Sequence, residues 1–422
     1  MLDYWIIEDL GDTDLYKLTM LKFVTDHYPN ARVRYELKFR SDTRYSKEEF
    51  AEILRQVGHM KDVRFDKRTL YYLTLSGTSD FLGNDFITYL KGVEVNPKHV
   101  HLWLDSEGRL QGIVEGPWSE TILWELIILP IVSEVHFAYN YPALTKEQKT
   151  QIYWDAVNKG MGFRERKAYF IEMGTRRRYS REVQGIALEG LKRGATDDIT
   201  GKCYLLGSSN TMFSAHFGII PQGTMAHEIF CAVGAMVGVE NANNVVLGKW
   251  SETYHGLLGV ALPDTFTTEF FLRTYNPFYA NLYYGLRHDS HKEPNVWTDM
   301  VLEHFESVGV DARAKRLVFS DGINNFDLVD SILEHRPGDC LKTFGIGTWL
   351  TNDLTEINGA KALNVVMKLV AGQKNSYEPM RHAVKLSDVE GKEIGDPATI
   401  EEYKRKVGKE SLVLPLSAIV PN

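Results

Sequence analysis

The 422 residues carry 48 lysines and arginines against 56 aspartates and glutamates, a formal charge of −8. Such a chain lacks the net basic face that nucleic acid or an anionic membrane requires, so small molecules are the expected partners. A hydrophobic content of 44% suffices for a large core in two or three domains. The three cysteines, Cys203, Cys231 and Cys340, form no CxxC pair, which leaves neither a zinc knuckle nor a disulfide framework and fits a reducing compartment.

The N-terminus MLDYWIIEDLGD is acidic where a signal peptide needs a basic start, so a cytoplasmic location is expected. Leu15, Leu18, Leu21 and Phe23 fall at helical spacing within Thr13 to Asp26. Val33, Tyr35, Leu37 and Phe39 then alternate with polar neighbours over Ala31 to Arg40, the pattern of a half-buried strand. A second helix-and-strand block runs from Ser46 to Trp118, where His99 to Leu104 and Leu110 to Glu115 flank the turn DSEG as a hairpin. The longest apolar stretch, Ile122 to Val132, contains Glu125 and Pro130 and is shorter than the about 20 residues a membrane span needs, so it reads as a buried helix.

From about Tyr141 to Asp353 helical stretches alternate with short apolar runs, each ending in a polar or glycine-rich loop: YFIEMGT, CYLLGSSN, GIIPQGT, LGVALPDT, YYGLRHDS, LVFSDGIN and KTFGIGT. Repeated strand-then-loop units of this kind predict an α/β chain built on an irregular β/α barrel whose reactive groups gather after the strands, with a doubly wound open sheet as the alternative. The expected organisation is an α+β unit over residues 1–140, completed by 354–422 with its KLSD and GKEIGDP turns, and a barrel over 141–353. No fixed-period repeat interrupts this reading.

Seven segments in order, DTDLYKLTM (12–20), EGPWSETILWELIILPIVSE (115–134), GTRRRYS (174–180), GSSNTMFSAHFGIIPQGTMAHE (207–228), RHDS (287–290), SDGIN (320–324) and FGIGTWLTND (344–353), together resemble the nicotinate phosphoribosyltransferase family over nearly the whole chain. The resemblance implies a type II phosphoribosyltransferase barrel. It also implies formation of nicotinate mononucleotide and pyrophosphate from nicotinate and phosphoribosyl pyrophosphate in NAD salvage, coupled to ATP with Mg²⁺, in a homodimer.

Within that resemblance each segment has chemistry of its own. His227 in GTMAHE stands after a turn at the start of an apolar helix. A neutral imidazole there is a nucleophile for the γ-phosphate of ATP, and a helix N-terminus favours the product, so the implied role is a phosphohistidine. HEIFC is not a zinc motif, because Cys231 stands where a second histidine would be needed. Asp264 in LPDTFTT resembles the family aspartate that holds the histidine by its other ring nitrogen. In GTRRRYS, Arg176, Arg177 and Arg178 cannot all face one way but supply at least one bidentate anion clamp, and the resemblance gives Arg176 the pyridine ring and carboxylate.

Ser208, Ser209 and Asn210 follow an apolar run. Neutral hydroxyls can donate to a substrate carboxylate that an aspartate would repel, and nicotinamide-using relatives carry an acid there, so Ser209 is expected to select acid over amide. In DTDLYK, with Asp14, Tyr16 and Lys17, the resemblance has Tyr16 stacking on the ring from a neighbouring subunit. Arg287 of RHDS can hold phosphate, and Asp289 can meet ribose hydroxyls or a magnesium shell. There the family's RHDSGDP form is broken by His291 in place of glycine, followed by Lys292, so the resemblance does not fix that loop's backbone shape. Gly345, Gly347 and Thr348 let backbone N–H groups approach a 5′-phosphate, and Asp321 and Gly322 would form the next wall. No GxxxxGK[ST] loop is present for ATP, nor the apolar run, paired acids and threonine-rich loop of the common phosphoribosyl-pyrophosphate fold.

Overall fold

The computed structural model describes residues 1–389 and 391–408. The expected completion of the first unit by 354–422 includes residues 409–422, which lie outside the described residues. Eleven strands occur among the described residues: β1 (Arg32–Phe39), β2 (Val100–Leu104), β3 (Leu110–Pro117), β4 (Tyr169–Glu172), β5 (Leu205–Ser208), β6 (Val260–Ala261), β7 (Gly285–His288), β8 (Arg316–Phe319), β9 (Leu341–Ile346), β10 (Val365–Gln373) and β11 (Arg381–His382).

Five of them form an antiparallel sheet in the order β11-β10-β1-β3-β2. Along β1, Val33, Tyr35 and Leu37 are buried while Arg34 and Lys38 are exposed, because successive side chains of a strand point to opposite faces. The β2–β3 hairpin pairs Leu104 with Leu110, and its turn is held by Asp105, whose Oδ1 accepts from the backbone N–H of Glu107 and Arg109. The helix Lys47–His59 begins with a capping box, in which Ser46 Oγ accepts from Glu49 N–H and Glu49 Oε2 accepts from Ser46 N–H. β10 comes from the far end of the sequence and pairs antiparallel with β1 from Arg32↔Gln373 to Phe39↔Val365. Its inner face covers the helix His227–Val237, with a Cβ at Gly372 meeting Met236 and Ala232 closely.

The other six strands form a parallel sheet in the order β5-β4-β9-β8-β7-β6. The edges β5 and β6 do not pair with each other. The segment 221–224 spans them: Pro221 bridges Ser208, Gln222 N–H donates to Ser208 O at 2.8 Å, and Thr224 Oγ1 donates to Val260 O at 2.9 Å. The sheet thereby curls into an irregular barrel rather than remaining open. GIIPQGT, expected as a strand, is not one. Pro221 has no N–H to donate and Gly223 holds φ +146°, so no ladder continues past the single bridge. Gly207 at φ +152° admits this crossing, since a Cβ there would sit 1.8 Å from Ile220 O.

The buried-helix reading of Ile122 to Val132 needs enlarging. Helical structure runs over Trp118–Asn140, 23 residues with the length and hydropathy of a membrane span, but 89% of its most apolar window is buried within the fold. The helix Trp124–Asn140 touches the helix Lys47–His59, β10 and the turn Thr175–Arg177, so its all-round apolar surface is covered by both layers of the protein.

Candidate active site

The C-terminal ends of β4, β5, β7, β8 and β9 and the start of the helix His227–Val237 surround a cavity of about 400 Å³. After β4 come Gly174, Arg176 and Arg177. After β5 stands Ser209, and after β7 stand Asp289 and His291. Asp321 and Gly322 follow β8; Gly345, within β9, and Gly347 and Thr348 beyond it complete that wall. Arg287, at the end of β7, also faces the cavity, and its buried Nε has no hydrogen-bond partner among the described residues, leaving a donor for an anionic ligand.

His227 is the first residue of its helix. Its Nε2 lies 2.9 Å from both carboxylate oxygens of Asp264, and Nδ1 lies 3.7 Å from Asp289 Oδ2. Asp264 is fully buried and touches the cavity only through the histidine. Burial would raise the Asp264 carboxyl, but His227 and Lys385 beside it hold it far below the usual carboxylate range. For His227, burial lowers the imidazole, as does the Lys385 charge, against the opposing pull of Asp264 and Asp289.

Lys385 carries no motif. Its Nζ is 2.8 Å from Asp264 Oδ2 and 2.8 Å from His227 Nε2, and it arrives from the KLSD turn that the sequence offers only as a loop. Arg40, just after β1, is a cation in the cavity lining that likewise carries no sequence signal.

The three consecutive arginines separate. Arg176 reaches the cavity with its side chain 43% exposed, Nη1 standing 3.6 Å from Glu125 Oε1. Arg177 also lines the cavity, and burial together with the neighbouring Arg176 and Arg40 charges brings its guanidinium down to about 10. Arg178 turns inward with no exposure and forms a bidentate pair with Asp12 at 2.7 and 2.8 Å. The 3₁₀ turn Thr175–Arg177 keeps Arg176 and Arg177 on the cavity side, and the chain leaves the helical path at Arg178, φ −59° and ψ 152°, so that the third side chain points away from them.

Two serine expectations change. Ser208 does not reach the cavity: it is fully buried, its hydroxyl donating to Glu172 Oε2 and accepting from Asn210 N–H at 3.0 Å. Ser209 does line the cavity, but its hydroxyl donates to Asp14 Oδ1 at 2.7 Å. An acid therefore already stands in this wall, and burial raises the Asp14 carboxyl while Ser209 and Arg176 stabilise its charge. Asp14 reaches this wall from 195 residues away in the chain, so the neutral residues of the Ser209 loop do not by themselves set its charge.

Tyr16 lines the cavity of its own chain, contrary to its expected arrival from a neighbouring subunit. Leu15 N–H donates to Ser209 O at 2.7 Å and Asp14 bridges Asn210, which pins the first helix to the end of β5. Behind Tyr16, buried Lys17 is paired with Glu228 and with Glu125 at 2.8 Å, and Glu228 also accepts from Tyr35 and Trp118. The irregular RHDS loop is tied down at every step: His288 Nε2 meets Lys292 O, Ser290 Oγ donates to Asp388, Lys292 pairs with Glu269, and His291 Nδ1 stands 3.1 Å from Asp321 Oδ2.

A β/α barrel that gathers four arginines, glycine-lined turns and an aspartate-held histidine around one cavity belongs to the class of phosphate-handling barrel proteins. Residues 168–410 match the nicotinate phosphoribosyltransferase (NAPRTase) family, and residues 12–133 match that family's N-terminal domain. The chain is 34% identical over 393 residues to nicotinate phosphoribosyltransferase of Desulforapulum autotrophicum, covering 93% of this chain and 96% of that protein. It is 35% identical over 397 residues to the Ectopseudomonas mendocina protein of the same name, covering 92% and 93%. The crystal structure of nicotinate phosphoribosyltransferase from Porphyromonas gingivalis superposes with a TM-score of 0.89 at 30% identity, covering 96% of this chain and all of that one. The chain belongs to the nicotinate phosphoribosyltransferase family.

Proposed function

We propose that this protein is an ATP-coupled nicotinate phosphoribosyltransferase of NAD salvage that works through a phosphorylated His227. The observation that carries the reading is the His227–Asp264 pair in the wall of the same cavity that Arg176, Tyr16 and Arg287 line. Arg176 meets the nicotinate carboxylate and Tyr16 packs on the ring, with Ser209 holding the Asp14 carboxyl beside them. Arg287 and the turns at Gly322 and Gly345 to Thr348 take the phosphates of phosphoribosyl pyrophosphate, and Asp289 and Asp321 face the ribose hydroxyls. The pyridine nitrogen attacks the anomeric carbon as its bond to the pyrophosphate oxygen breaks, and no covalent sugar intermediate is needed.

ATP acts at His227. Asp264 accepts a hydrogen bond from Nε2–H, which leaves the Nδ1 lone pair facing the cavity to attack the γ-phosphate and release ADP. The helix N-terminus favours the phosphate so formed. Tighter substrate binding in the phosphorylated state, and relaxation on its hydrolysis, would link ATP to product release. Among the described residues no three His, Cys, Asp or Glu side chains have metal-holding geometry. Mg²⁺ would arrive with the phosphates of ATP and phosphoribosyl pyrophosphate, with Asp289 and Asp321 the cavity acids able to meet its shell. A homodimer and a cytoplasmic location, the latter in keeping with three free cysteines, complete the proposal.

The test follows pyrophosphate and ADP release with nicotinate or nicotinamide, with and without ATP, in the parent protein and in His227→Ala. Nicotinate-dependent pyrophosphate that ATP increases, with ADP release lost in the variant, supports the reading. Turnover with nicotinamide alone removes the substrate assignment, and ADP release that survives His227→Ala removes the phosphohistidine.

A further inference from the structure

Four charged groups from three parts of the chain surround the His227 ring: Asp264 after β6, Asp289 and, behind it, Arg287 from the end of β7, and Lys385 from the C-terminal tail. On its own helix the next residue, Glu228, turns away to Lys17, Tyr35 and Trp118, and Cys231 lies a turn further on; from β10, Lys368 sits near Lys385. Two carboxylates are balanced by one ammonium and one guanidinium, so the immediate cluster is electrically neutral only while His227 is uncharged.

Both oxygens of Asp264 lie 2.9 Å from Nε2 and Lys385 Nζ lies 2.8 Å from it; the two carboxylate contacts call for a hydrogen on that nitrogen, and the ammonium, which as a donor to the ring would call for a lone pair there, has the Asp264 carboxylate as its acceptor instead. Lys385 Nζ shares Asp264 Oδ2 at 2.8 Å. The lysine thus cancels the carboxylate charge that would otherwise draw a second proton onto the ring.

Lys385 is held there by a dedicated clamp. Leu386 N–H donates to Thr265 O at 2.8 Å, and Lys385 exchanges backbone hydrogen bonds with Ile394. Asp388 accepts from Thr268 N–H, Thr268 Oγ1 and Ser290 Oγ at 2.6 to 2.9 Å, tying the Lys385 turn to the segments that carry Asp264 and Asp289. Ser387, between them, is held at φ +66°, a left-handed conformation costly for a residue with a side chain.

We propose that Lys385 is a positioning residue that keeps His227 neutral, with its proton on Nε2 and its Nδ1 lone pair free. This rests on the phosphohistidine reading for its purpose, but not for its measurement. Its role is electrostatic and acts through Asp264: it sets the fraction of His227 able to act as a nucleophile near neutral pH.

The test is ¹⁵N NMR of histidine-labelled protein, with the His227 signals assigned by their loss in His227→Gln, over a pH titration of the parent, Lys385→Met and Lys385→Arg. The parent is expected to show the Nε2–H tautomer at pH 7. Lys385→Met should raise the His227 titration midpoint by about one unit or more, and Lys385→Arg should return it. An Nδ1–H tautomer or a charged ring in the parent at pH 7 overturns the proposal, and this outcome is readable even if Lys385→Met does not fold. A midpoint unmoved in Lys385→Met, with weakened ATP binding, also overturns it and makes Lys385 a direct phosphate ligand. Acid-labile phosphate formed from ATP is followed in parallel. Its onset should move to higher pH in Lys385→Met, whereas its absence from the parent refutes the phosphohistidine and leaves the NMR result standing.

Discussion

Replacing Arg178 by methionine is expected to cost stability, while the same change at Arg176, two residues away, costs substrate binding. Arg178 and Asp12 are both without exposure, and the two guanidinium–carboxylate bonds measure 2.7 and 2.8 Å. Arg178 Nη1 also donates to Gln184 at 3.1 Å. Removing the guanidinium strands the Asp12 carboxylate in the interior with Asn210 Nδ2, at 2.7 Å, as its one remaining side-chain donor. Breaking a buried ion pair from one side costs about 3–5 kcal/mol, because the surviving charge keeps its desolvation penalty and loses its partner. Adding Asp12→Asn removes that charge while preserving an acceptor for Asn210, so the double variant should recover about half of the loss or more. Arg176 reaches the cavity and makes only a 3.6 Å contact with Glu125, so Arg176→Met should change unfolding free energy by less than about 1 kcal/mol. It should instead raise the KM for nicotinate. Urea unfolding followed by tryptophan fluorescence, beside steady-state kinetics, separates the two. Equal stability losses for the two single variants, or an Arg178→Met loss below about 1 kcal/mol, would refute the division of the GTRRRYS arginines into one clamp and one structural anchor.

Two further outcomes test the groundwork of the site. Glu172 is fully buried beneath it, and burial pushes its carboxyl up to about 7 despite donors from Ser208, Gly174 and Gln184. The folded state therefore holds a proton that the unfolded chain releases near pH 4.5, so this group's contribution to stability is present below that pH and is lost as pH rises to 7. The loss amounts to about 3 kcal/mol, and Glu172→Gln should flatten that part of the stability–pH curve between pH 5 and 8; an unchanged slope would mean Glu172 is ionised in the fold. Gly207→Ala should lower the thermal midpoint strongly, since its Cβ would lie 1.8 Å from Ile220 O at φ +152° and force open the crossing that closes the barrel. A fully stable Gly207→Ala protein would show that this crossing does not hold the barrel shut.

The local elements were legible in the chain because their causes are local. Alternation of Val33, Tyr35 and Leu37, the Ser46–Glu49 capping box and the Asp105 turn are settled by neighbours within a few residues. The strand-then-loop runs that became β4, β5, β7, β8 and β9 put Arg176, Ser209, Arg287, Asp289, Asp321 and Thr348 on one rim, because parallel strands joined by crossovers all present the same end. GIIPQGT misled because its apolar residues resemble a strand, whereas its proline and its positive-φ glycine decide against a ladder. Which rim residue meets which partner was not legible. Asp12 finds Arg178 across 166 residues, Asp14 finds Ser209 across 195, and Lys385 finds His227 across 158. Periodicity and caps act over a turn of helix or a hairpin, while a charge buried among strand ends is placed by the packing of distant segments. The sequence by itself determined the elements, the barrel rim and the reactive histidine's place at a helix start; tertiary structure alone decided that Ser208 and Arg178 turn inward, that Asp14 stands beside Ser209, and that Lys385 completes the charge around His227.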